Sequence, residues 1–110
     1  DTVMQEERVL CASSAYEQKY YFNEEFNGLP DAVKDELKIR CVLFTEDVGG
    51  ILTIRFDEDG SLLLCPEKDE EDILYDDIGC GLKIRQLEVE QAELWEQLEA
   101  FYRAFILREQ

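Results

Sequence analysis

The stretch ILTIRFDEDGSLLLCP, residues 51–66, decides between two readings, because acidic residues alternate up to a glycine at its centre. A calcium loop of the EF-hand type would place Gly60 at its sixth position. Arg55 then falls at position one and Pro66 at position twelve, where a carboxylate and a bidentate glutamate are required. Both ligands are missing, so the carboxylates belong to a turn. A three-residue loop, Glu58-Asp59-Gly60, sets Gly60 at the left-handed position of a bulged hairpin. That register pairs Phe56 with Leu62 and Ile54 with Leu64, with Leu52 on the same face. A two-residue Asp59-Gly60 turn would pair Phe56 with Leu63 and leave Leu62 and Leu64 beside Asp57 and Arg55. The apolar pattern selects the three-residue loop, since a one-residue slip turns every side chain to the other face.

Upstream of the hairpin, NGLPD (27–31) punctuates the chain. Pro30 suits a first helical turn, and Asp31, Asp35 and Glu36 suit the positive end of a helix dipole. Val33, Leu37, Cys41, Phe44 and Val48 follow at helical spacing, and Ile39 and Leu43 make a second apolar face. The pattern predicts a helix buried on two sides, between a sheet and another helix, and capped by Gly49-Gly50. The competing reading ends it near Arg40 and makes CVLFT (41–45) a strand. Before it, RVLCAS (8–13) and YEQKYYFN (16–23) read as strands, turning at Ser13-Ser14-Ala15. Tyr20 and Phe22 then face inward, and Lys19 and Tyr21 outward. A helix through 16–26 is the weaker alternative.

Downstream, PEKDEEDILYDD (66–77) is an acidic run in which Asp69 is placed to cap a helix, with Glu70, Glu71 and Asp72 in its first turn. Ile73, Asp77, Cys80, Ile84, Leu87, Gln91, Leu94, Leu98, Phe101 and Phe105 continue at 4-3 spacing, and Asp77 and Gln91 are the polar members. Trp95, Tyr102 and Ile106 widen the stripe. One helix over 70–107 would be about 57 Å long at 1.5 Å per residue. A domain of this size has a radius of gyration of about 13 Å. Either the helix breaks, at Gly79-Cys80-Gly81 or near Gln91, or it overhangs and packs on a second copy. In the second case Leu94, Trp95, Leu98, Phe101, Tyr102 and Phe105 form a homodimer face. The plain alternative is that the stripe covers the chain's own sheet.

Together these elements predict a single α+β domain over 1–110 in ββαββα order. Two hairpins form a four-stranded antiparallel sheet, packed against a central helix and a long C-terminal helix. Residues 1–7 are expected to be a flexible terminus, with Met4 the natural start.

Charge narrows the function classes. The 110 residues carry 27 Asp and Glu against 11 Lys and Arg, a formal charge of −16, with no histidine. Phosphates are repelled, so nucleic acid is not an expected partner. An unidentified basic protein, or simple solubility, fits better. No run of about 18 apolar residues spans a membrane, and no signal peptide is recognisable. Cys11, Cys41, Cys65 and Cys80 are far apart, form no Cys-x-x-Cys, and have no histidine with which to bind zinc. They read as reduced, mostly buried residues of a cytoplasmic protein.

No catalytic constellation, cofactor or metal site is recognisable. The carboxylate pairs Glu46/Asp47 and Asp76/Asp77 are adjacent in sequence, and adjacent helical residues point apart. Carboxylates of 69–77 offer Mg²⁺ or Ca²⁺ only generic spacing. Ser13 and Ser14 lack a histidine to activate them, leaving only a conceivable dyad with Lys19. GCG (79–81) follows no strand and lacks the third glycine of a phosphate loop, so it reads as a kink or a close backbone approach. Tyr16, Tyr20, Tyr21, Phe22 and Phe26 are either core or the lining of a ligand groove. The expected role is that of an acidic, homodimeric interaction module. A ligand-binding protein or enzyme using 16–26 is one alternative, and an acidic nucleic-acid mimic that binds a basic protein is another.

At YEQKYYFNEEFNGLP (16–30) and CVLFTEDVGGILTIRFDEDG (41–60) the chain resembles a family of short, acidic, uncharacterised proteins from anaerobic Gram-positive bacteria. The resemblance runs from about Val9 to Leu107. It implies a bacterial cytoplasmic setting and brings no activity, cofactor or site residue.

Overall fold

The computed structural model of the chain describes residues 8–106. The tail expected at 1–7 lies outside the described residues.

The central hairpin forms in the register set by its apolar pattern. Strand β3 (Ile51–Phe56) pairs with β4 (Leu62–Glu67), with Phe56 opposite Leu62 and Ile54 opposite Leu64. Asp57 N–H donates to the Ser61 carbonyl at 2.9 Å and closes the loop around Glu58, Asp59 and Gly60. The Asp57 carboxylate accepts the amides of Asp59 and Ser61, both at 2.9 Å. Gly60 takes φ +87°, as the bulged turn requires. The acidic residues therefore solvate and tie a tight turn.

Strand β1 (Arg8–Ser14) pairs antiparallel with both β3 and β2 (Lys19–Phe22), giving the sheet order β2-β1-β3-β4. The β1–β3 register shifts between Val9 and Cys11, and this bulge lets the consecutive residues Leu10 and Cys11 both be fully buried. The β1–β2 turn spans residues 15–18, slightly later than the Ser13-Ser14-Ala15 expected, with Gln18 at φ +54°. Tyr20 and Phe22 are half-buried, while Lys19 and Tyr21 are exposed, as alternation predicts. Phe26 ends a short 3-10 helix, Glu24–Phe26, that the sequence pattern did not reveal. The Asn23 side chain starts this turn by accepting the Glu25 amide.

Helix α1 (Asp31–Val48) follows, so CVLFT is helical. Leu37, Cys41, Phe44 and Val48 are buried, and Gly49 (φ +91°) and Gly50 (φ +73°) turn the chain into β3. Ile39 and Leu43 correct the expectation of two buried sides, because both are half exposed. The helix packs on β1 and β3 with one face and meets the next helix only partly.

The C-terminal third departs most from the pattern. Residues 68–76 contain no α-helix. Asp69 accepts the Glu71 amide and Asp72 accepts the Leu74 amide, so these aspartates stabilise local turns that compete with a helix. The Tyr16 hydroxyl donates to Asp72 at 2.7 Å and accepts the Asp69 amide at 2.9 Å, fixing the loop to the β1–β2 turn. Helix α2 (Asp77–Glu90) starts seven residues later than predicted, and Asp76 is its cap, accepting the Gly79 amide at 2.8 Å. Gly79 and Gly81 make neither a break nor a close backbone approach. A Cβ on Gly79 would meet the Asp76 carboxylate, while one on Gly81 would meet nothing within 4 Å.

The long helix breaks at Gln91 instead, the polar residue in the middle of the apolar seam. Helix α3 (Ala92–Phe105) follows it, with Gln91 itself at a non-helical φ of −110° and ψ of 28°. The Leu87 carbonyl accepts both the Gln91 amide at 3.0 Å and the Trp95 indole N–H at 2.8 Å, which pins the elbow. The folded chain has a radius of gyration of 14.2 Å, so the break resolves the length conflict within one chain.

The helices meet the sheet through one face. Cys11 faces Cys41 of α1, Ser13 faces Thr45 of α1, and Phe56 faces Tyr102 of α3. At the β4 edge, the Leu62 amide donates to the Glu99 carboxylate of α3 at 2.8 Å.

Candidate functional site

The six residues expected at a dimer face fall into two groups. Trp95, Leu98 and Tyr102 are buried in the chain's own core. Tyr102 stacks on Phe56 at 4.2 Å between ring centroids, and Phe26 stacks on both, at 5.7 Å from Phe56 and 6.2 Å from Tyr102. Leu94 and Phe101 are half-buried, and Phe105 is exposed beside Phe101. The aromatic stripe of α3 thus covers the sheet, with its outer margin left in solvent.

Helix α2 behaves differently. Cys80 is its one buried residue. Its inner side presents Ile84 and Leu87 to the core, half-buried. Its outer side carries Ile78 (79 % exposed), Leu82 (66 %) and Val89 (70 %) at helical spacing, and Ile73 and Leu74 precede it in the loop, almost fully exposed. The signal in the sequence was present but hidden. An apolar residue on both sides of a helix removes its amphipathic asymmetry, so no single stripe stands out.

Two clefts border α1. One, of 430 Å³, lies against α2 and the elbow, with Leu43, Phe44 and Leu87 in its lining. The Lys83 ammonium bridges to Asp47 at 2.8 Å beside it. The other, of 720 Å³, lies between the β1–β2 turn and the C-terminal half of α1. Tyr20 belongs to its lining, whereas Tyr16, Tyr21, Phe22 and Phe26 do not. Tyr16 anchors the acidic loop, and Phe26 is core. The five aromatics of 16–26 are therefore not one patch.

Buried polar chemistry concentrates below this second cleft. Ser13 Oγ and Thr45 Oγ1 are 2.9 Å apart, and Cys11 and Cys41 Sγ are 3.8 Å apart. Contact with Cys11, with burial adding to it, holds the Cys41 thiol far above the ordinary range. Burial likewise pushes the Tyr20 phenol up, reinforced by the two thiols. Its hydroxyl is buried without a hydrogen-bonding partner among the described residues. The Ser13 hydroxyl is bonded to Thr45.

The adjacent carboxylates have separate structural roles. Asp76 caps α2, Asp77 lies 3.7 Å from the Lys68 ammonium, and Asp47 pairs with Lys83. Among the described residues no group of three or more His, Cys, Asp or Glu side chains is arranged to hold a metal ion. No helix among them is long and apolar enough to cross a membrane.

No curated protein and no solved structure matches the chain. One family does, over residues 7–110, nearly the whole length. The chain belongs to that family, DUF6145, a family of unknown function.

Proposed function

We propose that the protein is an interaction module that forms a homodimer through its C-terminal helical segment, with the outer side of α2 as the contact. The exposed row Ile78, Leu82 and Val89 carries this reading. A helix apolar on two sides is normally covered on both. Here the inner side has the core and the outer side has solvent. The local charge favours a copy of the same chain. Helix α2 holds Asp77, Glu88 and Glu90 against Lys83 and Arg85, close to neutral within a molecule of charge −16. Two copies meeting here bring less like charge together than at the acidic loop. Gly81 lies exposed between Ile78 and Leu82, and its missing side chain leaves room for a partner backbone.

The strength follows from the area. Covering each of these side chains stabilises by about 1.5–3 kcal/mol. Six of them in a two-fold contact contribute roughly 9–18 kcal/mol, and an association cost of about 4–15 kcal/mol removes most of it, so a weak dimer is expected. The free, largely buried cysteines fit a reducing, cytoplasmic setting in a bacterial host.

Sedimentation or light scattering across the micromolar range tests the reading. The wild type is expected to dimerise, and Leu82→Glu and Val89→Glu are expected to be monomeric with unchanged circular dichroism, since both positions are exposed in the single chain. A wild type that stays monomeric at every concentration overturns it.

A further inference from the structure

We propose that Cys11 and Cys41 are an oxidisable pair, which hydrogen peroxide converts to a disulfide joining β1 to α1. Their sulfurs are 3.8 Å apart, although the residues are 30 positions apart in sequence. Both residues are fully buried, Cys11 on the inner face of β1 and Cys41 on the side of α1 that packs against it. A disulfide holds its sulfurs at about 2.05 Å, so they must close by about 1.8 Å. Rotation about one Cα–Cβ bond carries a sulfur farther than that. The seam is made of small side chains, with Ser13 and Thr45 in contact beside the thiols, which lets strand and helix approach closely. The other two thiols lie elsewhere: Cys65 is opposite Thr53 on the outer face of the sheet, and Cys80 is on α2.

The pair is chemically uneven. The Cys11 sulfur is met by both the Cys41 thiol and the Tyr20 hydroxyl. That hydroxyl is buried and has no other hydrogen-bonding partner among the described residues. Ionisation of Cys11 makes its sulfur a strong acceptor for two donors that already face it. Contact with Cys41 accordingly draws the Cys11 thiol below its ordinary range, with burial opposing and Tyr20 assisting, while the Cys41 thiol is held protonated. Cys11 is therefore the attacking thiol and Cys41 the resolving one.

Two steps complete the reaction. The Cys11 thiolate attacks one peroxide oxygen, the O–O bond breaks, and the departing hydroxide takes up the proton that Cys11 released. Cys11 is then a sulfenic acid. The Cys41 sulfur attacks the Cys11 sulfur, the S–O bond breaks, and the hydroxyl leaves as water with the Cys41 proton. Two thiols and one peroxide thus give one disulfide and two water molecules. Burial and charge select the oxidant. Hydrogen peroxide is uncharged and close to water in size, whereas glutathione disulfide is large and anionic and is repelled by the charge of −16. Peroxide enters by local opening of β2, a four-residue edge strand whose Tyr20 lies over Cys11.

The test treats the folded full chain with hydrogen peroxide, once as wild type and once with Cys65→Ser and Cys80→Ser, which leave only the pair. In both, a peptide map should join Cys11 to Cys41. In the second, the intact mass should fall by two hydrogen atoms with circular dichroism unchanged. The urea midpoint should rise, and a phosphine reductant should abolish the rise, because the bridge restrains the unfolded chain. Tyr20→Phe should slow bridging about tenfold, the scale of one charge-assisted hydrogen bond. Cys41→Ala should gain oxygen at Cys11 in place of losing hydrogen. Glutathione disulfide should leave the pair in the folded chain unmodified. No bridge in the folded wild type, oxygen added to Cys11 in preference to the bridge, or bridging only in the urea-unfolded chain overturns the proposal. A mixed disulfide of Cys11 with glutathione overturns the assignment of peroxide as the oxidant.

Discussion

At the scale of single residues, three glycines with different surroundings make opposite predictions. Gly50 has φ +73°, and a Cβ there would lie 2.5 Å from the Glu67 carbonyl oxygen and 2.7 Å from the Tyr75 ring. Gly60 has φ +87° in the tight turn. Gly81 is helical with nothing within 4 Å. Gly50→Ala should therefore destabilise by several kcal/mol, combining left-handed strain with overpacking against backbone. Gly60→Ala should cost about 1 kcal/mol. Gly81→Ala should stabilise by about 0.5–1 kcal/mol, because the helix interior gains a better former and the chain has nothing to clash with. Urea unfolding of the three variants checks the order. The pattern around Gly60 was legible, since four leucine and isoleucine positions admitted one register. The contact of Gly50 with Tyr75 was not, since a loop 25 residues downstream supplies the ring.

At the scale of elements, α1 and the two hairpins could be read from apolar spacing and turn residues, while the C-terminal third could be read only in part. Its rhythm of apolar residues was real from Cys80 onward. The start was misplaced because Asp69 and Asp72 use their side chains on nearby amides, an alternative to helix that the residue type allows and the pattern does not rank. The break was visible as Gln91 in the seam but competed with the glycines at 79 and 81. Those glycines are tolerated in the first turns below the Asp76 cap. The elbow depends on one side chain, because the Trp95 indole N–H and the Gln91 amide share the Leu87 carbonyl. Trp95→Phe should keep most of the burial and lose that bond, costing about 1–2 kcal/mol with a loosened α2. Hydrogen exchange should show faster opening of amides in 80–90 than in α1. Uniform protection across both helices would contradict the pinning role.

At the scale of the molecule, the Cys41 thiol and the Tyr20 and Tyr75 phenols set an alkaline limit. The Cys41 thiol and the Tyr20 and Tyr75 phenols are held above their ordinary ranges: Cys41 by its contact with Cys11, and the two tyrosines chiefly by burial. On Tyr16 the Asp69 amide acts to lower the pKa, but the Asp72 carboxylate and desolvation outweigh it, and the net shift is upward. A raised folded pKa means that the unfolded chain releases these protons first. Stability is thus complete below the ordinary thiol and phenol values and falls as pH rises above them. The urea midpoint should decline between about pH 9 and pH 11, and Tyr20→Phe should flatten part of the decline. A flat profile across that window would show these groups to be solvated in the native state.

The β4 strand has a consequence for how the protein can and cannot associate. It is one of the sheet's two edge strands, β2 being the other, and an open border of that kind invites a neighbouring chain to zip on. Here Pro66 offers no N–H to such a recruit, and the Leu62 amide is already taken by Glu99. Fibrillar growth by lateral addition at this border is blocked at two of six positions, so stacking into aggregates is discouraged by covalent structure as well as by repulsion. At this border, lengthening of the ribbon by a further strand is disfavoured.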